Sequence, residues 1–158
     1  MRYEVFEKGS LQKDPEYPSD DHMQRVIREA VMPSAQEAIS LNESLSPSFL
    51  FCSWEDKLIR LLYHNRPWML NTNGHMHGGM IASVCDMTMG LLSRYVKGTN
   101  KVVTVSLNID YLRGISADED IMVEAKVEKS GKNIVFLSAK VYRMSDIKMA
   151  ASAMATFM

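Results

Sequence analysis

The chain has 158 residues, the length of one ordinary domain, and its hydrophobic and charged fractions of 46% and 23% are typical of globular proteins. Lys and Arg number 18 against 19 Asp and Glu, which gives a formal net charge of -1. This balance, with no concentrated basic block, argues against a protein that binds nucleic acid through its phosphates. The composition also excludes a collagen-like rod, a disulfide miniprotein and a disordered chain.

No targeting or membrane segment is visible in the sequence. The first residues carry charges and lack an apolar run of signal-peptide length. The longest mostly apolar stretch, residues 76–92, is interrupted by polar side chains and is shorter than the ~20 residues that span a bilayer. Cys52 and Cys85 form one bridge at most, and a chain of this length needs none. We therefore expect a soluble, cytoplasmic protein with reduced thiols and no membrane partner.

The N-terminal part of the chain predicts an arm followed by helices. Residues 1–18 are polar, contain two prolines and indicate a loose arm. From Ser19, cap residues precede apolar residues at three-to-four spacing, which is typical of an amphipathic helix. Pro33 interrupts this helix, and the apolar residues from 35 to 41 allow a second helical stretch that ends before Asn42.

Beyond Pro47 the hydrophobic period shortens to two, and strands flank one long helix. Short turns between the strands favour an antiparallel sheet, and a helix of about 17 residues can cover its apolar face, so an α+β architecture follows. The predicted elements are strands at 49–54 and 58–64, a helix from Gly78 to about Arg94, strands at 102–112, 121–129 and 134–144, and a possible last strand at 148–157.

The densest group of chemically capable residues runs from Asn71 to Gly79. Two glycines at a helix start leave backbone N–H groups uncovered at the positive end of the helix dipole. Such an end binds a phosphate, a carboxylate or a developing oxyanion. The alternative is that Gly78 and Gly79 only relieve crowding at a tight entry into the helix.

Asp86 is a carboxylate in the middle of this helix, among apolar neighbours. Buried acids usually have a partner or a task, although an aspartate that reaches solvent at an edge is the alternative. Asp86 lies eight residues beyond Gly78, or about 12 Å along the helix, so one chain does not easily bring both residues to one small substrate. If they cooperate, a two-fold related subunit must supply Asp86, which implies a C2 dimer with interface sites.

The sequence gives little support to a metal site or a cysteine nucleophile. His75 and His77 alternate on an extended segment, but zinc needs three or four ligands and the other candidates lack a recognisable spacing. Cys85 has no basic neighbour in the sequence that would lower its pKa. We therefore predict no bound metal and no catalytic thiol.

From residue 49 to 157 the sequence resembles the hotdog-fold acyl-CoA thioesterases, specifically the PaaI-like branch of the phenylacetate pathway. The resemblance rests on Asn71, Gly74, the run His77-Gly78-Gly79 and Asp86 seven positions later. Residues 103–112 resemble the family's first strand after the central helix. Residues 131–132 resemble its next hairpin. The sequence departs from the family at the turns 117–120 and 145–146, which lack the usual glycine.

This resemblance implies an α+β hotdog fold, in which an antiparallel sheet wraps around a long central helix. Residues 1–44 would form an N-terminal arm and helix, and residues 45–158 the hotdog thioesterase domain. The implied assembly is a homodimer or homotetramer with active sites at the subunit interface. The implied reaction is hydrolysis of a medium-chain or aromatic acyl-CoA to free acid and CoA, with no cofactor because coenzyme A is part of the substrate. A non-catalytic acyl-CoA-binding hotdog protein and a hotdog hydratase or dehydratase remain the alternatives.

The resemblance also implies residue roles. Asp86 would be the base that activates water or the nucleophile that attacks the thioester, and Thr104 would help to place the water. The backbone N–H of Gly78 and the amide of Asn71 would bind the thioester oxygen, while His77 would hold the loop. The other implied substrate-binding residues are Gly79, Met80, Tyr111, Arg113, Lys129, Gly131 and Lys132. Among these, Arg113, Lys129 and Lys132 are expected to contact the coenzyme A phosphates.

Methionine is unusually frequent, with 13 in the chain. Its flexible thioether side chain suits either a soft core or an adaptable apolar site. Because Met76, Met80 and Met87 lie on or beside the central helix near the predicted site, we expect these three to line an adaptable acyl pocket.

Overall fold

The computed structural model of the chain describes residues 6, 11–32 and 40–158. Within them the bounds of the helices and strands are α1 Asp20–Val31, α2 Leu41–Leu45, β1 Ser48–Ser53, β2 Leu58–Tyr63, α3 Gly78–Lys97, β3 Thr104–Tyr111, β4 Ile121–Ser130, β5 Val135–Arg143 and β6 Met149–Phe157. Short 3-10 turns occur at Leu11–Lys13 and Pro67–Met69. All six predicted strands are confirmed, each within two residues of its predicted bounds.

The strands form one antiparallel sheet in the order β1-β2-β4-β5-β6-β3. The long helix α3 packs across one face of this sheet and contacts strands β2 to β6, and α1 packs against β1. The expected α+β architecture, with an antiparallel sheet around one central helix, is confirmed. The order leaves β3 at one edge of the sheet, and this edge carries part of the candidate site described below.

The core lies between α3 and the sheet. Alternate residues of β4 and β5 are buried, as the period of two requires when one face of a sheet packs against a helix. The buried Thr88 of α3 bonds the hydroxyl of Tyr63 at 2.8 Å and donates to the carbonyl of Val84 at 2.7 Å, so its hydroxyl is satisfied inside the core. The core therefore contains a buried hydrogen bond that joins α3 to β2.

Helix α3 ends later than the sequence predicts. It continues past Arg94 to Lys97 and ends where Gly98 adopts a left-handed backbone conformation, with φ at +62°. A glycine adopts this left-handed conformation without the penalty of a Cβ atom. Arg94 and Lys97 lie in the last turn, where positive charge favours the helix dipole.

Two expectations for the N-terminal part are corrected. The second helical stretch, predicted for 35–41, lies largely outside the described residues, and the described helix α2 runs beyond Asn42 rather than ending before it. The cap explains this placement, because the Ser40 side chain accepts from the N–H of Glu43 and starts the helix there.

The expectation of a loose arm is wrong for the described part of residues 1–18. Phe6 and Leu11 are buried, and the hydroxyl of Tyr17 donates to the carbonyl of Tyr95 on α3 at 3.3 Å. This segment therefore packs onto the C-terminal half of the central helix. The division of the chain at residue 45 stays a prediction.

Candidate active site at the start of the central helix

The loop before α3 is closed by the side chain of Asn71. Its Oδ1 accepts from the N–H groups of Asn73 at 2.9 Å and His75 at 3.2 Å, and Gly74 adopts a φ of +74° at the tip. These bonds fix the plane of the amide and use its oxygen. Within the described part of the chain, the Nδ2 donor has no partner, so the amide presents a donor away from the turn.

The first turn of α3 has one uncommitted backbone donor. The N–H of Gly79 donates to Nδ1 of His77 at 2.9 Å, and those of Met80 and Ile81 donate to the carbonyl of His77 at 2.8 and 3.1 Å. Among the residues that the structure describes, the N–H of Gly78 has no acceptor. The first turn of the helix therefore offers a single free donor at the positive end of its dipole.

Asn71 and Gly78 both line one cavity of about 390 Å³. Its lining combines residues that the sequence analysis assigned with others that it missed. The assigned residues are Asn71, Gly78, Tyr111 and Arg113, together with Met76 of the expected acyl pocket. Leu112, Gly114 and Ile115 belong to the stretch 111–116, past which the resemblance implied that the coenzyme A arm runs, and the missed residues are His75 and Ile81. The loop and the segment after β3 meet through the bridge from His75 to Ser116, a contact for which no local pattern exists.

Asp86 and Thr104 form a second group. The Thr104 hydroxyl donates to Oδ1 of Asp86 at 2.7 Å, so the structure brings these two predicted residues together. Asp86 is half-buried on α3, and Thr104 begins the exposed edge strand β3. The carboxylate thus lies at the open edge of the sheet and not in the closed core.

The two groups do not meet within one chain. Gly78 and Asp86 are eight residues apart on one helix, which corresponds to about 12 Å along its axis. The cavity beside Gly78 is lined by neither Asp86 nor Thr104. The separation that the sequence predicts, about 12 Å along the helix between Gly78 and Asp86, is therefore present in the folded chain.

The predicted phosphate contacts divide between the two ends of α3. Arg113 lines the cavity beside Gly78. In contrast, Lys97 at the last turn of α3 donates from Nζ to the carbonyls of Gly131 and Lys132, which places the 129–132 hairpin at the other end of the helix. Within one chain, these hairpin residues and the cavity do not come together.

Three further predicted residues differ in their exposure. Gly79 is exposed and Met80 is half-buried in the first turn of α3. Met87 is buried in the core, so the expected acyl pocket retains Met76 at the cavity and Met80 beside it, but not Met87 in this chain. Seven steps of 100° come within about 20° of two full turns, so positions 80 and 87 lie on the same face of α3 and differ in their position along the helix.

The thiols are buried and weakly acidic. Burial, with a smaller contribution from the neighbouring Asp86 charge, raises the pKa of Cys85 to about 12. Burial also raises the pKa of Cys52 to about 11. Neither forms a thiolate nucleophile near neutral pH. Within the described ranges, no three His, Cys, Asp or Glu side chains converge as candidate metal ligands.

The comparison with known proteins indicates a family. Residues 73–150 match the family described as the thioesterase superfamily, and this segment includes the loop from Asn73 onward, α3 and β3 to β5. Over this segment the chain matches the thioesterase superfamily, and it has the hotdog fold.

Individual proteins that are similar to this chain are also named as thioesterases. An acyl-coenzyme A thioesterase THEM4 from Xenopus laevis is 30% identical over 112 residues, covering 69% of this chain and 50% of the relative. The zebra fish thioesterase superfamily member 2 has a similar fold, with a TM-score of 0.72 at 22% identity over 87% of this chain and 96% of that one.

The E. coli PaaI protein from the phenylacetic acid degradation operon also shares the fold, with a TM-score of 0.64 at 18% identity over 73% of this chain and 80% of that one. The chain spans about half the length of the curated relatives that it matches first. None of the helices in the described part of this hotdog protein is long and apolar enough to cross a bilayer.

Proposed function

We propose that this chain is an acyl-CoA thioesterase that hydrolyses a medium-chain or aromatic acyl-CoA to the free acid and CoA. Its relatives named as acyl-CoA thioesterases support the reaction class. The chain supplies the required groups as two half-sites, with donors from Gly78 and Asn71 in one and the Asp86–Thr104 pair in the other. The observation that carries the proposal is that these half-sites adjoin opposite ends of the same open edge strand.

Strand β3 is suited to pair with a second copy of the chain. It lies at the end of the sheet and is eight residues long. An edge strand of this length, with apolar side chains, is a template for pairing with another strand. The large exposed hydrophobic residues in and beside it are Val103, Val105, Tyr111 and Leu112.

A symmetric antiparallel pair about the middle of β3 would complete the site. Such pairing sets position 104 of one strand opposite position 111 of the other. Thr104 holds Asp86, whereas the Tyr111 hydroxyl donates to the carbonyl of Gly78. Each active site would then combine the oxyanion donors of one subunit with the carboxylate of its partner. Homodimers, or tetramers built from them, are therefore part of the proposal.

The chemistry follows from this arrangement. The N–H of Gly78 and the Nδ2 group of Asn71 bind the thioester oxygen as negative charge develops on it. In one route the carboxylate of Asp86 takes a proton from water while the water oxygen bonds to the thioester carbon. In the other, the carboxylate bonds to that carbon itself and forms an anhydride, which water then hydrolyses to the free acid and the carboxylate. In both routes the carbon–sulfur bond breaks, and the leaving thiolate takes up the proton that the water released. Thr104 orients the carboxylate and the attacking water.

The rest of the substrate lies along the paired subunits. Arg113 is beside the cavity, and an antiparallel dimer turns the 129–132 hairpin of one subunit toward the Gly78 end of the other. We propose that Arg113, Lys129 and Lys132 contact the coenzyme A phosphates. The reaction uses no additional cofactor. The free thiols of Cys52 and Cys85 accord with a reducing compartment, and we propose the cytoplasm.

The proposal is tested by thiol release from a panel of acyl-CoAs of increasing chain length, including aromatic ones. Hydrolysis by the wild-type chain is expected, and Asp86→Asn is expected to lower kcat by about 100-fold or more, because general base or nucleophile function is lost. Asp21→Asn is the matched control, since Asp21 is an exposed aspartate of α1, and this helix packs on β1 at the opposite edge of the sheet. Its kcat is expected to match the wild type.

Other outcomes assign the alternatives. Acyl-CoA binding without thiol release would favour a non-catalytic binding protein. Conversion of the acyl chain without thiol release would favour a hydratase or dehydratase. Full activity of Asp86→Asn would contradict the site as proposed.

A further inference from the structure

The peptide unit that joins Gly78 to Gly79 is held at both ends. Its carbonyl oxygen accepts from the Tyr111 hydroxyl at 3.1 Å, and its N–H donates to Nδ1 of His77 at 2.9 Å. One holding group comes from the residue just before the helix, and the other comes from the far end of β3. The first peptide of α3 is therefore fixed by both a local and a long-range contact.

The ring of Tyr111 adds a steric contact to this bond. A Cβ atom built on Gly78 would lie 3.4 Å from the Tyr111 ring, so the ring lies directly against this glycine. Tyr111 is otherwise 55% exposed, and it makes these contacts from the edge strand without being a core residue. A glycine at a helix start has wide conformational freedom. The contacts of Tyr111 restrict that freedom at Gly78.

The restricted backbone of Gly78 affects the direction of its N–H group. Its N–H is the uncommitted donor of the first turn, as described above. An oxyanion donor acts only when it is aimed at the place where the charge develops, at about 2.7–3.1 Å. A misplacement of about 1 Å at a reacting centre can cost about 100-fold in rate.

We propose that Tyr111 is a positioning residue for the Gly78 N–H. It holds the Gly78 carbonyl and packs against Gly78, which restricts rotation about the backbone of this glycine and so fixes the preceding His77–Gly78 peptide that carries the N–H. This inference rests on the proposed thioesterase function and refines the role of Tyr111, which the sequence analysis assigned to substrate binding. The hydroxyl is committed to the Gly78 carbonyl, so its effect on the reaction passes through the donor and not through a contact with the acyl-CoA.

The test compares Tyr111→Phe with Tyr142→Phe, a matched loss of a hydroxyl from a half-buried tyrosine of β5. Tyr111→Phe keeps the ring and is expected to lower kcat about tenfold with KM changed less than about twofold. Amide hydrogen exchange at Gly79 and Met80 is expected to accelerate at least about threefold, because the helix start opens more often. Tyr142→Phe is expected to leave kcat, KM and these exchange rates unchanged.

The exchange measurement needs no activity and separates this inference from the proposed function. If the wild-type chain hydrolyses no acyl-CoA, the proposed function fails, and faster exchange in Tyr111→Phe alone would still support the role of Tyr111 in holding the peptide. An unchanged kcat, with or without a higher KM, would overturn the positioning role. A lower kcat with unchanged exchange at Gly79 and Met80 would also overturn it, since Tyr111 would then act by another route.

Discussion

At the scale of single residues, neighbours in the sequence have opposite environments on α3. Cys85 is buried in the core, whereas Asp86 is half-buried and bonded to Thr104 at the edge of the sheet. Successive side chains on a helix point about 100° apart, so two neighbouring residues can lie in the core and at the edge of the sheet respectively. Asp86 therefore has apolar sequence neighbours and a polar structural environment at the same time.

His22 is the titratable residue with the clearest link to stability. Its ring is buried, with Nδ1 2.8 Å from the Tyr95 hydroxyl and Nε2 3.5 Å from Asp14. Burial lowers the pKa of His22 below its ordinary value, while the charge of Asp14 opposes this effect and that of Arg25 adds to it. The folded chain therefore takes up this proton at a lower pH than the unfolded chain does.

The sign of the pH dependence follows. Between the ordinary histidine pKa of 6.5 and the lower folded value, the unfolded state binds more protons, so the free energy of unfolding decreases as the pH falls through this range. We expect the melting temperature to fall between about pH 7.5 and about pH 5.5, and to fall by a few degrees less in His22→Gln. Gln24→Ala, an exposed substitution on the same helix that removes no titratable group, is the control and is expected to retain the wild-type decrease. An equal decrease in His22→Gln would contradict this role of His22.

At the scale of elements, the β5–β6 hairpin carries local strain. Ile147 has a φ of +54°, in the left-handed region that L residues, and β-branched ones above all, avoid. Two backbone hydrogen bonds nevertheless stabilise the turn. The N–H of Ile147 donates to the carbonyl of Arg143 at 2.9 Å, and the N–H of Arg143 donates to the carbonyl of Lys148 at 3.1 Å. The missing glycine that distinguishes this turn from the family pattern thus has an energetic cost here.

Replacing this residue is expected to stabilise the chain. Ile147→Gly removes the strained side chain, which is exposed, and should raise the free energy of unfolding by about 1 kcal/mol and the melting temperature by about 2–4 °C. Ile134→Gly, at the partly exposed turn of the β4–β5 hairpin, is the control. Ile134 has no positive φ, so this variant relieves no strain, and the greater chain entropy of its unfolded state is expected to lower its melting temperature. A melting temperature that falls equally in both variants would show that Ile147 is not strained.

At the scale of the whole molecule, shared active sites predict complementation between two inactive variants. Asp86→Asn removes the carboxylate. Gly78→Pro removes the N–H donor and suits the helix, since proline is favoured at the first helical position and His77, with φ at -64° and ψ at 137°, has the backbone that precedes a proline. Each variant alone is expected to retain about 1% of the wild-type kcat or less.

Co-expression of the two variants should restore about one quarter of the wild-type kcat per chain. Half of randomly formed dimers are mixed, and each mixed dimer has one site with both an intact Gly78 and an intact Asp86. The measurement is thiol release by co-expressed, differently tagged chains, with separately expressed variants as the control. Mixed dimers that are isolated through both tags and remain inactive would show that the site does not combine residues of two subunits.

The sequence by itself determined the features that local physics controls. A period of two defines the six strands, caps such as Ser19 start α1, and the glycine pair marks the start of α3, because each depends on residues close together in the chain. The spacing of Gly78 and Asp86 already separated the two half-sites along one helix. The family resemblance supplied the pairing of roles.

Only the tertiary structure decided which distant residues meet. The strand order places β3 at an edge, where Thr104 reaches Asp86 and Tyr111 reaches Gly78, and it brings residues 112–115 to the cavity. The packing of Tyr17 on Tyr95 likewise joins segments far apart in the chain, where the sequence indicated a loose arm. These contacts cost loop-closure entropy and are stabilised by burial and bonding across the whole fold, so no window of sequence contains them.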